Sequence, residues 1–150
     1  MSIQVKIQPS SKVASIRREI PSFQEVTPLL TELNTYLEQH EMQPLTGAIW
    51  YGQPGDDKIE AEAIAFINDE IPESNNVCVY EIPEMFTASI VHTGPYNTLG
   101  DSYKEITDWL SKNQYEIVGP SRELYHHVKS PVRQDDPSYI TEIQFPVEKK

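Results

Sequence analysis

A chain of 150 residues suits one domain with a single real core, expected to run over residues 1–150. Its 12 Lys plus Arg against 23 Asp plus Glu leave a formal charge of −11. That balance argues against DNA or RNA, because displacing phosphate counterions needs basic side chains, and against docking on an anionic membrane face. The 8 Tyr against 4 Phe and 2 Trp supply rings with an apolar body and a polar tip.

Met1 to Lys6 lacks the basic-then-apolar layout of a secretory peptide, and no apolar run approaches spanning length. With Cys78 as the one cysteine, no internal disulfide can form, so a cytoplasmic setting is expected. Cys78 itself lies in the strand-like Val77-Cys78-Val79-Tyr80 and is expected to be a small buried hydrophobe.

Two stretches read as copies of one unit, spanning about residues 3–70 and 77–148. Pro9 matches Pro83, Ala14 matches Ala88, Ile16 matches Ile90 and Pro21 matches Pro95, all at one offset. Unequal helix lengths then bring Tyr36-Leu37 onto Trp109-Leu110, Gly47 onto Gly119 and Tyr51 onto Glu123.

After Pro21, Ser22 with Glu25 forms a capping-box pattern, and Val26, Leu29, Leu30, Leu33 and Leu37 mark one face of a helix over Phe23 to His40. Strands follow at Gly47 to Tyr51 and at Glu60 to Ile67, with a turn over Gln53 to Lys58. In the second half, Val77 to Ile82 and Phe86 to Val91 alternate with the period of strands. Leu99, Tyr103, Ile106 and Leu110 mark a helix capped by Asn97 and closed by Asn113. Arg122 to Val128 and Tyr139 to Val147 are strands, with a turn over Val132 to Pro137. The expected fold class is α+β: duplicated strand–helix–strand–strand units with pseudo-twofold symmetry and a central ligand groove between free sheet faces.

Alternation within Arg122 to Val128 sets Leu124 and Val128 on the helix and turns Glu123, Tyr125 and His127 towards the groove. Trp50, Tyr51, Tyr139 and Trp109 are the large aromatics near these strands; for Trp109, beside Leu110, a structural anchor is the competing role. Desolvation among rings raises the pKa of a carboxylate. Glu123 is therefore a candidate partner for a lipophilic cation or a general acid or base, while Glu142 is assigned to a strand surface. Among His40, His92, His126 and His127 no chelating pair is read: the adjacent His126 and His127 point to opposite faces. No HExxH, GxSxG or GxGxxG occurs, and Gly52-Gln53-Pro54-Gly55 is a turn, so neither metal nor cofactor is expected.

Gly94-Pro95-Tyr96, Trp109-Leu110, Gly119-Pro120, Glu123-Leu124-Tyr125 and Thr141 to Val147, in that order, resemble the GyrI-like small-molecule-binding family. The family includes the effector-binding domains of multidrug-responsive regulators of the BmrR type. The resemblance implies paired repeats around a pocket in which Glu123 pairs with cationic drugs and Tyr139 lines the wall. It further implies a stand-alone member, since no DNA-binding helix-turn-helix is read here. The expected partner is an aromatic or cationic small molecule, bound through Glu123, Trp50, Tyr51, Tyr125, Tyr139 and Trp109. An alternative implied by the resemblance is hydrolysis of cyclopropane-bearing electrophiles by Glu123 with Tyr51 or Tyr125. A third is a protein contact with gyrase or a regulator. The haem-binding relatives of the fold imply no haem here, for want of a placed histidine.

Overall fold

Period-two alternation becomes strand, and the two leucine-spaced segments become helix, in the computed structural model, which describes residues 3–51, 58–127 and 135–150. In chain order these are β1 (Ile3–Gln8), β2 (Ser11–Ile20), α1 (Val26–Gln39), β3 (Thr46–Trp50), β4 (Ile59–Phe66), β5 (Cys78–Ile82) and β6 (Met85–Thr93). After them come α2 (Leu99–Lys112), β7 (Tyr115–Ile117), β8 (Ser121–His127) and β9 (Ile140–Lys149). Each helix is entered through a 3-10 turn, Phe23–Glu25 or Tyr96–Thr98. The architecture is α+β, and the pairings within both units are antiparallel. Val128, Gly52 to Gly55, and parts of the turns expected at Gln53 to Lys58 and Val132 to Pro137 lie outside the described residues.

The chain divides into two compact units, and each leading strand joins the unit built mainly from the other half. Unit 1 is Met1–Gln8 with Met85–Lys150; unit 2 is Pro9–Glu84. In unit 1 the strands run β1-β6-β9-β8, with β7 pairing β9; in unit 2 they run β3-β4-β2-β5. Val5 pairs Ala88 and Val79 pairs Ala14, so β1 and β5 occupy matching places.

Unit 1 packs α2 on β6 and β9. Ile106 and Leu110 meet Ala88, Ile90, Ile143, Phe145 and Val147, with Tyr103 and Trp109 against the margin. Burying such side chains contributes roughly 1.5–3 kcal/mol each. In unit 2 the buried stripe Val26, Leu29, Leu33 and Leu37 covers β4 and β2. There Ala61, Ala63 and Ala65 on β4, fully buried, leave room for the leucines. The other face of the same strands carries a second cluster, Val13, Ile49, Ile64 and Ile82.

Helix ends differ from the sequence expectation at the start and agree at the finish. Ser22 makes no side-chain cap bond; the Glu25 N–H donates instead to the Ser22 carbonyl at 3.1 Å. Asn97 lies inside the second 3-10 turn, and Thr98 is the N-cap of α2. Asn113 does close α2, its Nδ2 donating to the Trp109 carbonyl at 2.8 Å. The next residue in each repeat, Glu41 (φ 60°) and Gln114 (φ 63°), takes the left-handed conformation that glycine adopts without Cβ strain. Gln114→Gly and Glu41→Gly are each expected to stabilise the fold by about 0.5–1 kcal/mol in urea unfolding, and destabilisation would refute the assignment.

Cys78 departs from expectation: it is exposed, because β5 is an edge strand of its unit.

Candidate functional site

The register of β8 on β9 decides where Glu123 points. Glu123 pairs Ile143 and Tyr125 pairs Thr141. Ile143 belongs to the core under α2, so cross-strand neighbours on that side face the helix. Glu123 and Tyr125 therefore face α2, while Leu124, paired with Glu142, faces away. This reverses the expected facing. Leu124 is apolar yet lies on the side without the helix, because both faces of these strands are buried.

On the helix side Glu123 is 7% exposed and accepts one phenol on each oxygen. Tyr125 donates to Oε1 at 2.9 Å, and Tyr103, reaching down from α2, donates to Oε2. Tyr96, on the turn before α2, sets its ring 5.9 Å from Tyr125 and 4.8 Å from Tyr139, which is fully buried. Tyr103 also meets Phe145 edge-on at 5.9 Å. Burial pushes the Tyr103 and Tyr125 hydroxyls well above the ordinary phenol range, and the Glu123 charge adds to it. Burial, with Tyr139 and Glu123 beside it, does the same to Tyr96. These phenols stay protonated at neutral pH and act as donors; an ionised carboxylate is the acceptor that suits two of them at once.

His92 holds the turn that carries Tyr96. Its Nδ1 lies 2.7 Å from the Ser102 hydroxyl, and its Nε2 lies 3.1 Å from the Thr98 hydroxyl and 3.3 Å from the Pro95 carbonyl. Gly94, at φ 143°, makes the bend in front of it.

Glu123, Tyr125 and Tyr139 are thus brought together, and the structure adds Tyr103 and Tyr96. Sequence reasoning assigned Tyr103 to the apolar stripe of α2 and gave Tyr96 no role. A phenol where a helix stripe otherwise carries leucine or isoleucine was the available signal.

Each remaining candidate has contacts of its own. Trp109 stacks on Tyr115 at 5.6 Å and 14°, about 9 Å along α2 from Tyr103 at 1.5 Å per residue. Tyr51 belongs to unit 2, donates to Glu62 Oε1 at 2.7 Å and lies under the Arg17 guanidinium at 3.8 Å. Trp50, on the opposite side of β3, meets Phe23 edge-on at 5.1 Å. The expected match of Tyr51 with Glu123 is corrected: Ala48 pairs Ala63 and Ala63 pairs Ile16, as Glu123 pairs Ile143 and Ile143 pairs Ile90. Ala48 is the counterpart of Glu123, and Trp50 that of Tyr125. The extra strand β7 lengthens the second connection and displaced the alignment.

No group of three or more His, Cys, Asp or Glu among the described residues is arranged to hold a metal ion. No helix among them is long and apolar enough to cross a membrane.

Solved structures share this architecture. The crystal structure of the EcmrR C-terminal domain is 24% identical with a TM-score of 0.85, covering 99% of this chain and 98% of that one. The chain spans 58% of the EcmrR chain in its DNA complex. A hydrolase from Listeria innocua matches at 12% identity and a TM-score of 0.68, covering 97% and 91%. SAV2435 bound to tetraphenylphosphonium matches at 16% identity and 0.61, covering 99% and 94%. At these identities the likeness is one of fold. No individually curated protein matches the chain. The model of the GyrI-like small molecule binding domain, however, matches residues 1–148, and the chain belongs to that family.

Proposed function

We propose that the chain binds flat or globular lipophilic cations, with Glu123 as counter-charge and Tyr96, Tyr103, Tyr125 and Tyr139 as the surrounding wall. The observation that carries this reading is the Glu123 carboxylate gripped by two phenols beneath α2, with Tyr96 edge-on to Tyr125 and tilted against Tyr139. Phenol donors hold the carboxylate in place without adding positive charge. Ring faces attract cations as well, at about 0.5–2 kcal/mol per contact depending on desolvation. The tetraphenylphosphonium in a neighbour of the same fold is of the class such a site takes. The chain then acts as a sponge or sensor for such compounds, in keeping with its negative charge.

Hydrolysis is less well supported. With both oxygens already accepting phenol protons, Glu123 is a weaker base than a free carboxylate. A contact with gyrase or a regulator has no segment that singles it out.

The test is isothermal titration of the full chain with tetraphenylphosphonium and with neutral triphenylphosphine oxide. Saturable binding that favours the cation is expected. Equal binding of the two, or none of the cation, refutes the reading. Product beyond one equivalent from a strained cyclopropane electrophile replaces it with the hydrolase.

A further inference from the structure

Both units carry the same aromatic corner, built from different residues. Register sets Trp50 at the place of Tyr125 and Ala48 at that of Glu123. The two 3-10 turns set Phe23 at the place of Tyr96. The ring contacts repeat: Phe23 on Trp50 at 5.1 Å and 74°, Tyr96 on Tyr125 at 5.9 Å and 70°. The acid does not. Where Tyr125 has Glu123 as acceptor, Trp50 has a methyl group.

Trp50 is 6% exposed, and its Nε1–H has no hydrogen-bond partner among the described residues. An indole is a donor only, and buried donors in folded proteins are nearly always satisfied. A neutral acceptor on a ligand would meet this donor, whereas a cation would find neither charge nor acceptor at Ala48. The covering ring, Phe23, is 39% exposed, and its turn is closed by backbone without a side-chain cap. In unit 1, His92 ties the equivalent turn to Thr98 and Ser102. At its place in unit 2 stands Arg18, which reaches Glu32 on α1 at 3.3–3.4 Å. Phe23 is accordingly the side chain that yields to an incoming ring.

We propose that the Trp50–Phe23 corner of unit 2 is a second ligand subsite, taking a neutral flat aromatic that carries a hydrogen-bond acceptor such as a ketone oxygen. It adds to the reading of Glu123 and does not rest on it.

The matched probes are 9-fluorenone and fluorene, alike in shape except for the carbonyl. In full chain carrying Trp109→Phe, which leaves one indole, fluorenone is expected to move the Nε1–H resonance downfield and saturably, while fluorene does not. Fluorenone should bind about 5–30-fold tighter than fluorene, the worth of one satisfied buried donor. Trp50→Phe should erase that preference and leave tetraphenylphosphonium affinity within about twofold, since no acceptor contact is lost at Glu123. A resonance unmoved at saturation overturns the proposal, and so does a preference that survives Trp50→Phe. Loss of tetraphenylphosphonium binding in Trp50→Phe assigns Trp50 to the Glu123 site and overturns a separate subsite. Should Trp50→Phe fail to fold, the resonance measurement decides alone.

Discussion

Glu123→Gln is expected to weaken tetraphenylphosphonium binding about 10–100-fold while leaving neutral aromatics within about threefold. Two unit charges 6 Å apart at an effective dielectric near 20 attract by about 3 kcal/mol, and desolvation of the carboxylate offsets roughly half. Glutamine keeps the volume and one acceptor oxygen. One of the two phenols, Tyr103 or Tyr125, must then turn its hydroxyl to accept from the amide. The wall therefore survives and only the charge is removed. Titration of both ligands into both proteins checks this, with thermal unfolding to confirm the variant folds. A cation that binds Glu123→Gln as tightly as the parent removes the electrostatic half of the proposed function. The rings would then account for binding by themselves.

How far the sequence foretold this site can be traced residue by residue. The duplication was legible because Pro9, Ala14, Ile16 and Pro21 recur at one spacing, and register confirms Ile16 and Ile90 as counterparts. Glu123 and Tyr125 were correctly placed on one face, since strand alternation is a local rule. Which face was a different matter. That depends on the partner element, and with Arg122, Leu124, Glu142 and Gln144 all buried opposite the helix, hydrophobicity did not mark the helix side. Tyr103 was hidden by its own helix, where a phenol and a leucine have the same period. Cys78 shows a related blind spot: alternation within one strand says nothing about whether that strand is an edge. The exchange of β1 and β5 between units is likewise a property of pairing, which no single segment encodes.

The largest stability effect is expected on the other face of β9, at Glu142. Its Oε2 accepts Lys6 Nζ and Gln144 Nε2, and its Oε1 accepts His126 Nε2, each at 2.8 Å. Register gives Glu62 the same place in unit 2, where Tyr51 and Tyr80 donate at 2.7 and 2.5 Å. Tyr80 stands where β1 carries Lys6, and Tyr51 where β8 carries His126. One repeat thus holds its buried acid with phenols and the other with basic side chains. Burial alone would push the Glu142 carboxyl up, but the three hydrogen bonds and the Lys6 charge outweigh it and hold the carboxyl below its ordinary value of 4.5. Removing one partner of a fully buried pair costs about 3–5 kcal/mol. Lys6 and His126 are each more than a third exposed, so solvent screening reduces that figure for Glu142→Gln to about 2 kcal/mol at pH 7, or about 4–8 °C in Tm. Because the folded pKa lies below the unfolded one, this stabilisation is complete above pH 4.5 and drains away as pH falls through the folded value. Thermal unfolding of parent and variant from pH 7 down to about pH 3 should show the gap closing on the acid side. A gap that stays constant over that range would mean the carboxylate charge contributes nothing, and Glu142 would be a packing residue.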